Sequence, residues 1–368
     1  MRVLVTGSRG FIGKNLVVRL EEQTGTEILR FTRDDSEASL PALVRGSDAI
    51  VHLAGENRPK DPAAFATVNA GLTSALCAAI AGSGRRIPLI FASSTQAELA
   101  NPYGESKRAA ELAVEHLAVT QGNPVTIFRL PNVFGKWCRP DYNSVVATFC
   151  HNIANDLPIR INDPATRLRL AYVDDVVSAF VQALGSTDGG LRWGTAGPEY
   201  AISLGELAAQ IEAFRNCRTN LVTERVGTGL VRALYATYVS YLPTAKFAYD
   251  LPSYRDARGT FVEMLKTPDC GQFSFFTALP GVTRGGHYHH SKTEKFLVIR
   301  GSARFRFRHR VTTETFELFT SGDRPRVVET VPGWTHDITN MGNEEMIVML
   351  WANEIFDRAR PDTVAHNV

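Results

Sequence analysis

The chain has 368 residues, a formal net charge of +2 at pH 7 and an apolar fraction of 44%. This length suits two domains, and the apolar fraction is enough for two buried cores, which argues against a disordered chain. The near balance of 40 basic and 38 acidic residues gives no reason to expect a nucleic-acid or membrane partner. We therefore expect a globular protein of two domains that binds neither.

The cysteines indicate a reducing compartment. They are scattered, odd in number and without a CxxC pair: Cys77, Cys138, Cys150, Cys217 and Cys270. Met1 and Arg2 lead straight into an apolar strand rather than a signal peptide. No apolar stretch approaches the roughly 18 residues that a membrane span needs. We expect a cytoplasmic protein with inert thiols.

Short apolar runs alternate with helical ones from the N-terminus to about Leu184. The strand-like runs are Arg2–Thr6, Ile28–Thr32, Ala49–Ala54 and Pro88–Ser93, and the helical runs are Phe11–Glu22 and Ala64–Ile80. This alternation predicts the α/β class, with a doubly wound Rossmann-type parallel sheet and helices on both faces.

The pattern changes to short strands and turns after about Tyr249. The strand candidates are Val262–Lys266, Gln272–Ala278, Lys295–Arg300, Ala303–Arg308, Thr313–Leu318, Arg326–Val331 and Glu345–Trp351. Strands at this spacing predict an all-β barrel or sandwich. We interpret Tyr235–Leu251 as the connection between the two parts.

Four alternating arginines lie among these strands: Arg304, Arg306, Arg308 and Arg310. Their spacing of two favours one solvated face of a strand over an anion-binding site, which stays the less favoured alternative.

The first strand leads into a glycine-rich turn and then a helix. Gly7 allows a tight turn, Gly10 lets the backbone approach a pyrophosphate, and Gly13 lets the helix pack closely on the sheet. The helix N-terminus would face the phosphates. We predict that this turn binds a dinucleotide through Gly7, Arg9, Gly10, Phe11, Ile12 and Gly13.

The end of the second strand favours NADPH over NADH. NAD sites often place an acidic residue there to bind the ribose 2′-hydroxyl. Here the strand ends in Arg33, and Arg9 lies in the glycine turn, so two cations are available for a 2′-phosphate. Asp34 in the acidic position remains the alternative.

A tyrosine and a lysine share one face of a predicted helix that runs to about Thr120. Asn101 suits the N-cap and Pro102 the first turn, and Tyr103 and Lys107 follow four residues apart. Lysine in that position would lower the phenol pKa and hold the nicotinamide ribose, while Tyr103 protonates a carbonyl oxygen. The alternative is an ordinary surface pair.

Hydroxyl side chains end the buried strand upstream of that helix. Ser94, with Thr95 close behind, is our candidate to hydrogen-bond the substrate oxygen, because parallel sheets bind ligands at this edge. The alternative is that the hydroxyls begin a loop.

Residues 1 to 245 resemble an extended short-chain dehydrogenase/reductase of the nucleotide-sugar branch. The matching pieces are GSRGFIG at 7–13, HLAG at 52–55, VNAGLTSAL at 68–76, FASS at 91–94, NPYGESK at 101–107, RLPNVFG at 129–135 and AYVDDVV at 171–177. The resemblance implies that Ala54 and Asn69 join the three glycines at the cofactor. It implies that Ser94, Tyr103 and Lys107 are catalytic and that Asn132 faces the sugar nucleotide.

The chain departs from this family in two places. Only eight residues separate Ser94 from Tyr103, where relatives carry a longer loop, so the mouth of the site is expected to be more open. The arginine that usually precedes the VDD segment is out of register. Arg167 and Arg169 flank its place and are our candidates for contacting the substrate diphosphate.

A second set of polar residues lies in the strand-rich part. Side chains alternate along a strand, so His287 and His289 point to the same side, with Glu294 and His336 available nearby. These ligands suit a divalent metal, with zinc as first choice and Fe, Mn or Ni as alternatives. His290, which faces the opposite way, and His309 are interpreted as structural or solvated.

The segment from Gly281 to Gly301 resembles the first motif of the cupin family, G-x5-H-x-H-x4-E-x6-G, at every position. The second cupin motif is matched in part at 332–340. Residues 246–368 are therefore expected to form a metal-binding cupin barrel.

The two halves together resemble capsular-polysaccharide enzymes of the CapF type, which act in UDP-N-acetyl-L-fucosamine synthesis for capsule or O-antigen. The resemblance implies a homodimer with two activities on one UDP-sugar, C3 epimerisation in the cupin and then C4 reduction with NADPH. A reductase with a structural or dimerising cupin is the alternative. A non-catalytic nucleotide or sugar sensor is disfavoured by the complete Ser94, Tyr103 and Lys107 set.

Overall fold

The chain folds into two compact units. A computed structural model describes residues 1–59, 61, 63–185, 189–256, 259–262, 265, 267, 271–354 and 359–368. The first unit comprises Met1–Ser144 and Leu168–Ile202, and the second comprises Val145–Arg167 and Ser203–Val368.

Eight α-helices are assigned along the described residues: α1 Phe11–Glu21, α2 Leu40–Arg45, α3 Leu72–Gly82, α4 Pro102–Gln121, α5 Val145–Ala154, α6 Val173–Leu184, α7 Leu204–Asn220 and α8 Gly229–Val239. The strands up to residue 203 are β1 Arg2–Thr6, β2 Glu27–Phe31, β3 Ala49–His52, β4 Leu89–Ser94, β5 Pro124–Leu130, β6 Asn132–Phe134, β7 Arg167–Tyr172, β8 Gly190–Trp193 and β9 Glu199–Ser203.

The first unit is built on a parallel six-stranded sheet in the order β2-β1-β3-β4-β5-β8. A smaller sheet has the order β6-β7-β9. On one face of the large sheet, Leu4, Ile50 and Leu89 pack with Leu76 of α3 and Val114 of α4 in a buried core. Helices α1 and α6 pack together and contact β1 and β4, respectively. The carboxyl ends of β1, β3 and β4 therefore present their residues at one edge of the sheet.

The predicted helix Ala64–Ile80 is two different elements. Phe65–Gly71 forms a π-helix and α3 follows it. Together Phe65–Gly82 make an apolar segment of 18 residues with a mean hydropathy of 1.4, so the expectation that no stretch approaches this length was wrong. Length and composition alone would allow this segment to cross a membrane. However, core helices share these properties, and Leu76 and Ile80 lie in the core of the sheet.

The second unit contains two five-stranded sheets. Their orders are β10-β18-β15-β20-β13 and β17-β16-β19-β14-β21. The strands are β10 Ala248–Asp250, β11 Ser253–Asp256, β12 Gly259–Val262, β13 Gln272–Ala278, β14 Thr283–Tyr288, β15 Glu294–Arg300, β16 Ser302–His309, β17 Thr315–Ser321, β18 Arg326–Glu329, β19 Trp334–Asn340, β20 Met346–Ala352 and β21 Val364–Ala365. β11 and β12 pair as a separate hairpin.

Aromatic side chains fill the space between these two sheets. Phe296 of β15 meets Phe305 of β16 with ring centroids 5.7 Å apart, and the Phe307 ring lies 6.4 Å from the His336 ring. All four residues are buried. The predicted fold class, a parallel α/β sheet followed by an all-β part, is confirmed.

Several predicted boundaries need correction. Tyr235–Leu251 was expected to be a connection, but Tyr235–Val239 ends helix α8 and Ala248–Asp250 pairs with β18. The β17 strand starts two residues later than predicted, because the chain turns at Thr313, which has a φ of 61°. The Val262–Lys266 candidate lies largely outside the described residues. The domain boundary at residue 245 remains a prediction, although the compact units group residues 203–245 with the strand-rich part.

The prediction that the alternating arginines lie on one face of a strand holds for those within β16 but not for Arg310. Arg304 and Arg306 on β16 lie beside Glu317 and Asp337, so acidic neighbours balance their charges. Arg310 lies beyond the strand end, and its guanidinium stands 4.9 Å from the centre of the Tyr288 ring.

The described cysteines fit the prediction of inert thiols. Cys77, Cys138, Cys150 and Cys217 are present as thiols rather than disulfides. Burial raises the pKa of Cys77 to about 12 and that of Cys138 to about 11, which keeps both protonated at neutral pH. Cys270 lies outside the described residues.

Candidate active sites

The glycine turn has the compact geometry of a phosphate-binding loop. Gly7 has a φ of +67°, and a Cβ there would stand 2.8 Å from the Ala54 amide nitrogen. A Cβ on Gly13 would stand 2.2 Å from the Gly7 carbonyl oxygen, so only glycine allows the helix to approach the turn this closely. Gly10 is the N-cap of α1 and has no side chain to occupy the N–H groups of the first turn. These groups fit a dinucleotide diphosphate.

The other predicted residues of the turn lie beside it. Phe11 and Ile12 are half-buried in the first turn of α1, and Arg9 is exposed. Arg9 forms an ion pair with Asp34, while Asp35 accepts 2.8 Å hydrogen bonds from the N–H and hydroxyl of Thr32. Arg33 is exposed beside them. Asp34, the carboxylate that could favour NADH, is thus already paired with Arg9, one of the two cations predicted to bind the 2′-phosphate of NADPH.

Asn69 holds the loop that follows β3. Its Oδ1 accepts the Glu56 N–H at 2.8 Å, and its amide donates to the Glu56 carbonyl at 3.0 Å and to the Ser106 hydroxyl at 2.9 Å. A Cβ on the neighbouring Gly55 would stand 3.0 Å from Asn69 Oδ1 and 3.5 Å from Lys107 Nζ. Asn69 itself lies in the π-helix, an element frequent at functional sites. The loop at Ala54 and Gly55 is therefore held directly beside Lys107.

The three predicted reductase side chains come together at the carboxyl end of β4. Asn101 caps α4 through its side chain and Pro102 begins the helix, as predicted. Tyr103 follows, and the Ser94 hydroxyl lies close enough to affect the pKa of its phenol, despite the short separation in sequence. Burial raises the phenol pKa, and the contact with Ser94 acts in the opposite direction. The arrangement keeps Tyr103 protonated and next to a second hydroxyl.

Lys107 is buried one helical turn below Tyr103. Its ammonium donates a 3.0 Å hydrogen bond to the Ala92 carbonyl and lies 5.3 Å from the centre of the Phe91 ring. Burial lowers its pKa to about 8, and the Glu111 carboxylate partly opposes this. Burial, with the charge of Lys107, lowers the pKa of His52 to about 3. His52 is therefore neutral and adds no second charge beside the lysine.

The predicted substrate residues occupy two neighbouring strands. Asn132 is exposed at the start of β6, and Arg167 and Arg169 are exposed on β7, which pairs with β6. Arg169 forms an ion pair with Glu199, with nitrogen–oxygen distances of 2.6 and 3.1 Å. A diphosphate at Arg169 would have to compete with that carboxylate.

Four predicted metal ligands converge in the second unit. One ligand atom from each of His287, His289, Glu294 and His336 lies within 4.8 Å of the others. Glu294 Oε2 stands 3.1 Å from His289 Nε2 and 3.6 Å from His336 Nε2. His287 is half-buried and the other three are buried. Three imidazoles and a carboxylate around one point are a ligand set for a divalent cation.

The protonation states in this set fit a metal. Burial, followed by the charges of His336 and His289, lowers the pKa of His287 to about 3. Burial also lowers the pKa of His336. Burial opposes ionisation of Glu294, but the neighbouring histidines hold its pKa well below the usual range. Neutral imidazoles and an ionised carboxylate are the forms that bind metal.

The surroundings of the His336 ring test whether these four residues fit a metal. Among the described residues neither of its buried ring nitrogens has a hydrogen-bond partner. Buried nitrogens of this kind are rare in folded proteins unless an ion or water satisfies them. A cation held by Nε2 would satisfy one of them.

The histidines outside the set contact protein groups. His290 lies against Tyr288, with ring centroids 5.5 Å apart. His309 Nδ1 accepts the N–H groups of Val311 and Thr312 at 3.0 Å, and its ring packs on Trp334. Both contacts agree with the structural interpretation of these two residues.

Comparison with known proteins gives the family. The NAD dependent epimerase/dehydratase family matches residues 3–193, and the family described as "Polysaccharide biosynthesis C-terminal domain" matches residues 254–364. A crystal structure of the capsular polysaccharide assembling protein CapF from Staphylococcus aureus is 38% identical with a TM-score of 0.66, and 100% of each chain is covered. This chain belongs to the CapF family.

Other relatives are similar to this CapF-family chain. A Pseudomonas aeruginosa protein named UDP-2-acetamido-2,6-beta-L-arabino-hexul-4-ose reductase is 58% identical over 371 residues, covering 100% of this chain and 99% of that protein. UDP-glucuronic acid 4-epimerase from Bacillus cereus, solved with NAD, is 20% identical with a TM-score of 0.51. That match covers 58% of this chain and 83% of the epimerase, and it supports the fold of the reductase part alone.

Several residues at these sites escaped the sequence analysis. Glu56 and Ser106 hold Asn69, and Glu111 lies beside Lys107. Lys292 stands 3.3 Å from Glu294, and the Asp362 carbonyl accepts a hydrogen bond from His289. Glu111 could have been found, because it lies on the Lys107 face of α4. Asp362 has no such signal, since 72 residues of sequence separate it from His290.

Proposed function

We propose that this chain is a bifunctional nucleotide-sugar enzyme. The second unit epimerises C3 of UDP-2-acetamido-2,6-dideoxy-4-hexulose, and the first unit reduces C4 with NADPH. The product is UDP-2-acetamido-2,6-dideoxy-L-talose, for capsule or O-antigen synthesis. The carrying observation is that one CapF-family chain holds both a Ser94–Tyr103–Lys107 cluster and a separate three-histidine, one-glutamate set.

The reductase assignment rests on proton supply to the C4 oxygen. When bound, NADPH supplies the hydride for the C4 carbon. Tyr103 donates its phenolic proton to the carbonyl oxygen, and Ser94 hydrogen-bonds the same oxygen. Lys107, charged below a pKa of about 8, stabilises the phenolate that remains and holds the nicotinamide ribose. The name of the Pseudomonas aeruginosa relative, a hexul-4-ose reductase, supports a 4-keto sugar substrate.

The epimerase assignment rests on the acidity of the C3 proton, which lies α to the C4 ketone. His287, His289, Glu294 and His336 would hold a divalent metal, with zinc as first choice. When bound, the metal acts as a Lewis acid that favours loss of this proton by stabilising negative charge on the ketone oxygen. Epimerisation must come first, because reduction removes the carbonyl that makes the proton acidic.

The cofactor and substrate preferences follow from charged side chains. Arg33 and Arg9 favour the 2′-phosphate of NADPH over the ribose hydroxyl of NADH. Asn132, with Arg167 or Arg169, would contact the UDP-sugar.

We also propose that the enzyme is a cytoplasmic homodimer. Phe273 and Phe275 support the dimer, because they are 50% and 73% exposed on the edge strand β13. The thiols of the described cysteines support a reducing compartment.

The testing experiment incubates the purified protein with the UDP-4-keto-6-deoxy-N-acetylhexosamine and NADPH in heavy water. NADPH loss is followed by absorbance and the product by proton NMR. We expect NADPH oxidation and deuterium at C3 of a talo-configured sugar. Oxidation without deuterium at C3 would contradict the epimerase assignment. No oxidation, with NADPH shown to bind, would contradict the proposed substrate.

A reductase with a structural second unit is the alternative, favoured by the relative's name, which mentions reduction alone. His289→Ala separates the two functions. Loss of C3 exchange with C4 reduction of pre-epimerised substrate intact supports the bifunctional enzyme. Loss of folding alone supports the alternative.

A further inference from the structure

Residues 359–368 run alongside the strand that carries His287. β21 pairs antiparallel with β14, placing Ala365 opposite His287 and Val364 opposite Tyr288. The His366 N–H donates to the Gly286 carbonyl at 2.8 Å. A segment distant in sequence thus holds β14 in place directly beside the candidate metal ligands.

Asp362 of this segment clamps the loop that follows His289. Its carboxylate accepts the N–H groups of His290, Ser291 and Lys292 at 2.8, 2.7 and 2.7 Å, and the Ser291 hydroxyl at 3.0 Å. This loop joins His289 to Glu294. Four donors on one carboxylate fix the backbone between two of the four ligands.

The backbone carbonyl of the same residue orients the His289 ring. It accepts a hydrogen bond from His289 Nδ1, which leaves Nε2 as the ligand atom, facing Glu294. A partner of this kind fixes both the tautomer and the direction of a metal-binding histidine.

Thr363, the next residue in the segment, contacts Lys292, a buried lysine that lies beside the ligand Glu294. Lys292 Nζ stands 3.3 Å from Glu294 Oε1 and donates to Thr363 Oγ1 at 3.2 Å. Glu294 Oε2, the oxygen nearest His289 and His336, is left for the metal. Asp362 therefore contacts the ligand His289 directly, and Thr363 contacts the ligand Glu294 through Lys292.

We infer that Asp362 is a positioning residue of the metal site, holding His289 and the 290–292 loop in the geometry that binds a divalent cation. This inference rests on the metal site of the proposed function. Residues 359–368 would then take part in metal binding, although they lie outside both cupin motifs.

The test measures zinc affinity of the full chain after removal of metal with a chelator, by competition with a chromogenic chelator. Asp362→Ala is expected to weaken zinc binding about 10- to 100-fold. The visible spectrum of the cobalt-loaded protein should change because the ligand geometry relaxes. Asp362→Asn keeps one acceptor oxygen and should lose less affinity, which keeps the test usable if the alanine variant fails to fold.

Glu329→Gln is the matched control. Like the Asp362 variants, it removes a carboxylate that has several hydrogen-bond donors in the second unit, but the Glu329 carboxylate contacts Lys295, Arg218 and Tyr235 instead of the ligands. It should lower stability without changing zinc affinity or the cobalt spectrum. Wild-type affinity and an unchanged spectrum in Asp362→Ala would overturn the inference. Absence of zinc binding by the wild-type chain would instead overturn the metal site itself.

Discussion

The Ser93 hydroxyl donates a 2.6 Å hydrogen bond to the buried Glu111 carboxylate. The same carboxylate accepts hydrogen bonds from Arg129 at 2.7 and 2.8 Å. Glu111 also lies one helical turn beyond Lys107 on α4, where its negative charge raises the lysine pKa that burial lowers. The Glu111 carboxylate therefore does two things: it hydrogen-bonds the strand that ends in Ser94, and it raises the pKa of Lys107.

The first prediction concerns Glu111→Gln and the pH dependence of reduction. Lys107 must be charged, so kcat/KM should fall as pH rises through its pKa of about 8. Loss of the neighbouring negative charge lowers that pKa further, because the ammonium form loses an attractive partner. The alkaline limb of the profile should therefore move to lower pH.

Glu115→Gln is the control for this profile. Glu115 lies on the same helix and shares the Arg108 partner of Glu111, but it is half-buried and makes no contact with Ser93. Its alkaline limb should match that of the wild type. An unchanged limb in Glu111→Gln would refute the proposed influence on Lys107.

Tyr103→Phe should lower kcat for C4 reduction by about 100- to 10,000-fold, because it removes the proton donor. The ring should keep its packing on Phe65, 5.6 Å away between centroids. NADPH binding, measured by fluorescence, should persist, and C3 exchange in heavy water should continue. Normal turnover would show that another group protonates the C4 oxygen.

Local patterns predicted the elements that carry the reductase residues. Asn101 and Pro102 marked the start of α4, and the four-residue spacing placed Tyr103 and Lys107 on one face. The π-helix around Asn69 was missed, because its apolar pattern matches that of an ordinary helix and tertiary hydrogen bonds to Glu56 and Ser106 decide its geometry.

The four metal ligands were predicted from the sequence, but the residue that positions one of them was not. The HxH spacing and Glu294 are close in sequence, and the structure brings His336 to them through the pairing of β14 with β19. Asp362 was not predictable, because three of the four donors to its carboxylate are backbone N–H groups. Such contacts leave no pattern in the sequence of the loop that they hold.

Arg33→Ala tests the cofactor preference. A charge-assisted contact with the 2′-phosphate is worth about 1.5–3 kcal/mol, so kcat/KM for NADPH should fall about 10- to 100-fold while that for NADH changes little. Asp34→Ala is the comparison, because Asp34 pairs with Arg9 and is the alternative ribose ligand. A wild-type preference for NADH that disappears in Asp34→Ala would reverse the assignment.

The last prediction concerns a buried charge cluster in the second unit. The Glu329 carboxylate contacts Lys295, stands 2.7 Å from an Arg218 nitrogen and accepts the Tyr235 hydroxyl at 3.2 Å. Glu329 and Lys295 are buried, with 3% and 1% exposure. One carboxylate thus balances two cations, so the cluster tolerates loss of one cation far better than loss of its anion.

Glu329→Gln should lower the free energy of unfolding by about 3–5 kcal/mol, because it leaves two cations facing each other without a counter-charge. Lys295→Met should cost only about 1 kcal/mol, because Arg218 still pairs with Glu329 and methionine retains most of the buried apolar stem. Urea denaturation followed by near-ultraviolet circular dichroism measures both. Equal losses in the two variants, or a larger loss for Lys295→Met, would mean that packing rather than charge balance sets the stability of this cluster.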